Sequence, residues 1–219
     1  MIDMDETKSR EKILKKVRKA LIQKSPVELP NDLDFDSDIF SSSEDALELQ
    51  FAKAHTTLNG KFLFCENEED FIQNIASLIK ENAWENVFCL EDEVKRLLKK
   101  ALVPFSDNET GNIVNTDIGV TLCECLVART GSVIVSSRLI SGRRLPVYAN
   151  IHIVVAYTSQ LVYNIKDALK LLKNKYGEQL PSMISTITGP SRTADIEKTL
   201  VQGAHGPKEI YVCLIDDAQ

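Results

Sequence analysis

The chain has 219 residues, 43% of them hydrophobic and 26% charged, with a net charge of −6; this is the profile of one globular domain with a well-buried core and a short appended arm. The acidic balance excludes nucleic acid as a bulk partner, because phosphate neutralisation needs a basic surface. No apolar run reaches the roughly 20 residues of a membrane span, and the charged N-terminus has no secretory core, so a cytoplasmic protein is expected.

From Lys8 to Lys24, Ile13, Leu14, Val17 and Leu21 recur at helical spacing among eight basic residues, with Glu11 the one acid. This predicts a basic amphipathic helix. Its stripe suits a membrane surface or nucleic acid, or a docked arm whose basic face meets solvent or the acidic stretch that follows; the docked arm is expected. Residues 25–43 read as a linker, with Pro26, Pro30, Asp32, Asp34, Asp36 and Asp38 before three serines. The predicted division is an N-terminal helical arm with its acidic linker over 1–43 and an α/β domain over 44–219.

A helix is expected from Glu44 to Leu58, stopped by Asn59-Gly60. Lys61–Cys65 reads as a strand, Phe71 to Ile79 as a helix, Val87–Leu90 as a strand and Val94 to Ala101 as a helix. Short apolar strands alternating with helices indicate a mostly parallel sheet buried on both faces. Thr121–Ala128 is predicted helical, Ser132–Ser136 a strand, Ile151–Ala156 a central strand and Tyr163–Tyr176 a helix stopped by Gly177. Met183–Thr188 and Glu209–Ile215 complete the strands. The expected architecture is an α/β three-layer sandwich.

Ligands in open α/β sheets bind beyond the carboxyl ends of strands, which directs attention to three turns. After Met183–Thr188 come Gly189, Pro190, Ser191, Arg192 and Thr193, then Asp195, Glu197 and an expected helix to Gln202-Gly203. Glycine, hydroxyls, amides at a helix start and a guanidinium are the parts of an anion cradle; the same residues also serve plain helix capping. Arg138, Arg143 and Arg144 in the Ser136–Leu145 turn either line an anionic pocket or lie on a solvated loop. Thr130, Gly131 and Ser132 form the first turn, with Glu124 upstream as a pocket acid or base or an exposed helix glutamate. His205, in Ala204-His205-Gly206-Pro207, suits proton transfer or bonding of its own turn, and His152 reads as a satisfied core residue.

The cysteines are Cys65, Cys89, Cys123, Cys125 and Cys213, odd in number and scattered, so reduced thiols are expected. Cys123 and Cys125 lack a second pair to complete a metal set, and no metal is expected. No dinucleotide, P-loop or nucleophile-elbow fingerprint occurs.

The run Thr188–Glu197, followed by Gly203-Ala204-His205-Gly206-Pro207 before a terminal strand, resembles the LUD domain family, in its lactate-utilisation protein C (YkgG-like) branch. Supporting pieces are Glu124, Ala128-Arg129-Thr130-Gly131-Ser132 and His152-Ile153-Val154-Val155. The resemblance covers about 60–217. It implies a fold like the NagB/RpiA/CoA-transferase-like (ISOCOT) superfamily and a part in bacterial oxidation of L-lactate to pyruvate. It also implies iron–sulfur clusters in partner proteins, with no cofactor in this chain. The implied pocket holds Glu124, Thr130, Gly131, Gly189, Ser191, Arg192, Thr193, Asp195 and Glu197. Arg129 stands where the family commonly has an acid, which favours a more anionic ligand. The expected function is a small-carboxylate-binding subunit of a multiprotein complex; the alternatives are an enzyme on a phosphorylated or CoA-linked metabolite and a non-catalytic assembly or regulatory protein.

Overall fold

The computed structural model describes residues 11–19, 44–107, 116–196, 199–203 and 205–217. The chain divides into two units, Met1–Ser42 and Ser43–Gln219. In the first, residues 11–19 form helix α1, with Ile13, Leu14 and Val17 exposed; the expected acidic linker lies outside the described residues. No helix among the described residues is long and apolar enough to cross a membrane.

The second unit begins with α2 (Leu47–Thr57), ended by Asn59 at φ 63 as its asparagine–glycine pair predicts. Then follow β1 (Lys61–Cys65), α3 (Glu68–Glu81), β2 (Val87–Cys89) and α4 (Asp92–Lys100). In α3 the Asn67 side chain accepts from the Asp70 amide at 2.9 Å, the local bond that starts the helix. Phe71, Ile75 and Ile79 recur every fourth residue and bury one face. β3 (Ile118–Thr121), β6 (Ile151–Tyr157) and β11 (Glu209–Ile215) complete a fully parallel sheet in the order β1-β11-β6-β3-β2.

A second sheet orders β7 (Leu161–Val162), β4 (Cys125–Val127), β5 (Ser132–Ser136) and β8 (Ile184–Ile187). The α/β class and the mostly parallel central sheet hold; the layer count differs. One face of the parallel sheet packs on α3 and α4. Its other face, with Val154, Ala156, Val212 and Leu214, packs on Leu126, Val133 and Val135 of the second sheet and Phe51 of α2. Helix α6 (Ile165–Tyr176) covers the outer face of the second sheet through Ala168 and Leu172. Where a three-layer sandwich expects helices, a sheet intervenes.

Two predicted helices are strands. Thr121–Ala128 instead ends β3, bends at Cys123-Glu124 and forms β4, followed by a 3₁₀ turn at Ala128–Thr130. Both faces of β4 are buried, Leu126 against the parallel sheet and Cys125 and Val127 against α6, so its sequence carries no polar–apolar alternation to read. The helix expected after Gly189 is a hairpin of β9 (Arg192–Ile196) and β10 (Thr199–Gln202). Thr193, Ile196, Thr199 and Val201 are β-branched and favour the extended backbone. Gly203 N donates to Ser191 O at 3.0 Å and closes the hairpin base.

Candidate functional site

A cleft of about 260 Å³ runs along β8 and its following bend. It is lined by the β8 side (Met183, Ser185 to Gly189 and Ser191), by Gly142, Arg143, Pro146 and Val147, by His205, Gly206 and Pro207, and by Val135 of β5. β8 is an edge strand, which is why so many consecutive residues face the opening. The lining residues from 142 to 147 come from the 137–144 loop and α5 (Leu145–Tyr148). Leu145 and Ala149 can lie on the parallel sheet because Gly119 has no side chain: a Cβ there would come within 2.9 Å of Leu145 and 3.0 Å of Ala149.

The cleft therefore unites the second turn (Arg143), the third (Gly189, Ser191) and His205. It opens beside Pro207 and α5, which precede β11 and β6. That is the amino end of the parallel strands, not the carboxyl end the general rule favours.

The bend at 189–193 is built differently from the expected cradle. Gly189 has φ +83, and a Cβ there would sit 2.9 Å from Leu58 O, so the glycine serves a close approach to the end of α2. The Ser191 amide donates to Pro207 O at 2.9 Å, and with a hairpin following there is no helix start to offer free amides. Pro190 lies in the bend, half-buried, and Thr193 pairs with Val201. Arg192 Nη2 donates to Leu58 O at 2.8 Å; the guanidinium caps the carboxyl end of α2 and does not line the cleft. Asp195 falls in β9, and Glu197 lies outside the described residues.

The first turn is a packing joint. Gly131 adopts φ 60, ψ 30, and a Cβ on it would lie 2.4 Å from the His55 backbone nitrogen. His55 Nδ1 in turn meets Gly131 O at 2.9 Å. Ser132 Oγ donates to Thr130 Oγ1 at 2.8 Å and bonds Thr188 Oγ1 at 2.9 Å, so Thr188 is the point where this turn touches the cleft. Arg129 Nη2 donates to Asn164 Oδ1 at 3.3 Å, at the start of α6.

Glu124 is neither exposed nor on a helix. It is 3% exposed, and it accepts from Ser136 Oγ, from Lys175 Nζ at 2.8 Å and from Tyr176 OH at 2.8 Å. Burial pushes its carboxyl up, but these three donors together outweigh burial and hold it below the ordinary carboxylate range. It is absent from the cleft's lining. Ser136 follows Val135 along β5, and neighbouring strand residues point to opposite faces.

Sequence reasoning missed Glu91. It is 4% exposed, and its Oε1 accepts from the Ser141 amide at 3.1 Å, fastening the loop that carries Arg143. Its neighbours give no local signal, because the pairing spans fifty positions. Cys123 and Cys125 are buried in different apolar clusters. Burial raises both thiols, Cys125 to about 12, which leaves them protonated and inert.

Comparison with known proteins fits this fold. The LUD domain model matches residues 49–215. Lactate utilization protein C 1 of Bacillus mycoides is 27% identical over 168 residues, covering 68% of this chain and 71% of that protein. Lactate utilization protein C of Bacillus subtilis is 33% identical over 103 residues, 46% of this chain and 43% of that protein; the match to the Bacillus licheniformis protein also spans 43% of its length. A crystal structure of a DUF162 family protein from Deinococcus radiodurans superimposes with a TM-score of 0.55 at 17% identity, covering 77% of this chain and 96% of that one. With the family model spanning most of the chain, this protein belongs to the LUD domain family.

Proposed function

We propose that this chain serves lactate utilisation as a subunit that binds a small carboxylate in the cleft, supporting oxidation of L-lactate to pyruvate together with iron–sulfur partner proteins. The relatives' names point to lactate. The observation that carries the site is its charge: among the described lining residues Arg143 is the one permanent cation, and no carboxylate stands beside it. A guanidinium pairs a carboxylate in plane with two N–H donors. Thr188, Ser191 and His205 offer donors and acceptors for a neighbouring hydroxyl, and Val135, Pro146, Val147 and Ile187 offer an apolar wall for a methyl group.

Lactate gives up two electrons and two protons in becoming pyruvate. In this reading His205, the one imidazole at the cleft, receives the hydroxyl proton. The Cα–H bond also breaks, and the partner proteins would accept that hydrogen and the two electrons, their iron–sulfur clusters carrying the electrons alone.

Melting in the presence of L-lactate and of pyruvate tests the binding. Wild type is expected to be stabilised, Arg143→Ala to lose that response, and Arg192→Ala to keep it. Absence of any response in wild type overturns the carboxylate reading.

A further inference from the structure

Arg138, Arg143 and Arg144 are exposed on one loop of a chain whose net charge is −6. None takes part in an ion pair among the described residues, whereas Arg96 contacts both Glu68 and Glu93. Two of the three reach the same neighbouring stretch. Arg138 Nη2 donates to Gln179 O at 3.2 Å, and Arg143 Nη2 donates to Ser182 Oγ at 2.6 Å. Both guanidinia thus hold the 179–182 stretch through neutral acceptors, and each keeps most of its five N–H donors for another guest. Ser182 Oγ also meets Ser137 Oγ at 3.1 Å, so a pair of hydroxyls adjoins the Arg143 guanidinium.

The loop bearing these arginines is held from within. The Arg138 amide donates to Ser136 Oγ at 3.1 Å. Gly142 turns at φ +57, a conformation that favours glycine. The Ser141 amide is fixed by the buried Glu91 carboxylate. Such bracing of the loop's backbone, together with the two side-chain bonds to 179–182, lowers the ordering cost of binding.

We propose that Arg138 and Arg143, with the Ser137 and Ser182 hydroxyls, form a second anion subsite at the rim of the cleft that takes a phosphoryl group. Two guanidinia match the charge of a phosphate, about −1.5 to −2 at pH 7 for a monoester, and its several oxygens accept from both forks. The subsite shares Arg143 with the carboxylate reading and differs from it in Arg138, which does not line the cleft; Arg138→Ala tells the two apart, because it should weaken phosphate binding and leave the lactate response intact.

Calorimetry at fixed ionic strength, with inorganic phosphate and with glycerol 3-phosphate, tests it on wild type and on Arg138→Ala, Arg143→Ala and Arg144→Ala. Arg138→Ala and Arg143→Ala are each expected to weaken binding about tenfold or more, the loss of one charge-assisted bond. Arg144, whose side chain has no bond to the 179–182 stretch among the described residues, serves as the charge control, and Arg144→Ala should change binding by no more than about twofold, as screened surface charge does. Arg138→Gln repeats the measurement if the alanine variant loses its fold. Tighter binding of the ester assigns the subsite to a phosphorylated metabolite; tighter binding of free phosphate assigns it to a regulatory anion. No binding of either probe to wild type, or an equal loss in Arg144→Ala, overturns the subsite. A lost lactate response beside an intact phosphate response sinks the carboxylate reading alone.

Discussion

Arg143 and Arg192 carry the same group and have different duties. The Arg192 guanidinium neutralises the carboxyl end of α2 through Leu58 O, an exposed contact of the kind worth about 0.5 kcal/mol. Arg192→Ala should therefore lower stability by about that amount in urea titration, with no change in ligand response. Glu124 shows the opposite case. Its side chain is fully buried while that of Lys175 is half exposed, so the two partners respond unequally. Glu124→Ala leaves Ser136, Lys175 and Tyr176 without their shared acceptor and should cost about 3 kcal/mol. Lys175→Ala leaves that buried carboxylate without its cation but opens it to water and keeps the two hydroxyl donors, so it should cost less, about 1–2 kcal/mol. Equal losses in the two variants would show that the carboxylate is not the hub.

At the scale of elements, α2 is joined to the second sheet by a glycine contact. Gly131 has both a positive φ and a neighbour that a Cβ would overlap. Gly131→Ala combines backbone strain with a clash against main chain, each of order 1–3 kcal/mol. Denaturation should show a loss of at least about 2 kcal/mol, and hydrogen exchange should report α2 opening first. A neutral substitution would mean that α2 simply shifts aside.

This joint also shows what the sequence discloses. The Thr130-Gly131-Ser132 turn was legible as a turn, and the strands at 61–65, 132–136 and 209–215 were legible to the residue, because their apolar runs are bounded by clear stops. The partner of Gly131, His55, was not, since a contact over 76 positions leaves no periodicity. The hairpin at 192–202 was masked by Asp195 and Glu197, which read as helix-start acids; its β-branched residues carried the contrary signal. The cleft was half legible: Gly189, Ser191, Arg143 and His205 were named from turn chemistry, while Val135, Pro146 and Val147 reach it only through the stacking of two sheets.

The whole molecule places two histidines where water does not reach. His152 is fully buried, bonds Thr121 Oγ1 at 2.8 Å through Nε2, and has no partner for Nδ1 among the described residues; burial lowers its pKa from 6.5 to about 4. Burial also lowers His55, opposed in part by its bond to Gly131 O. His152 stays neutral in the native state down to about pH 4, and His55 resists protonation to some point below its ordinary value, while the unfolded chain takes up protons below about pH 6.5, so the unfolded state gains as pH falls. Stability should be steady above about pH 7 and then decline toward pH 4 by at most about 1.4 kcal/mol per pH unit from His152, with His55 adding to the decline in the same direction. Below that, Glu124 adds to the loss: its folded pKa is depressed, so its contribution holds above the ordinary carboxylate value and disappears as pH falls through the lowered one. Urea midpoints measured from pH 8 to pH 4 on wild type and His152→Gln would separate the contributions. The variant should be weaker at pH 7 and have a shallower decline between about pH 6.5 and pH 4.5. An unchanged slope would mean that His152 is protonated in the native state, which would require an acceptor or water channel beside Nδ1 that the packing of the two sheets does not provide.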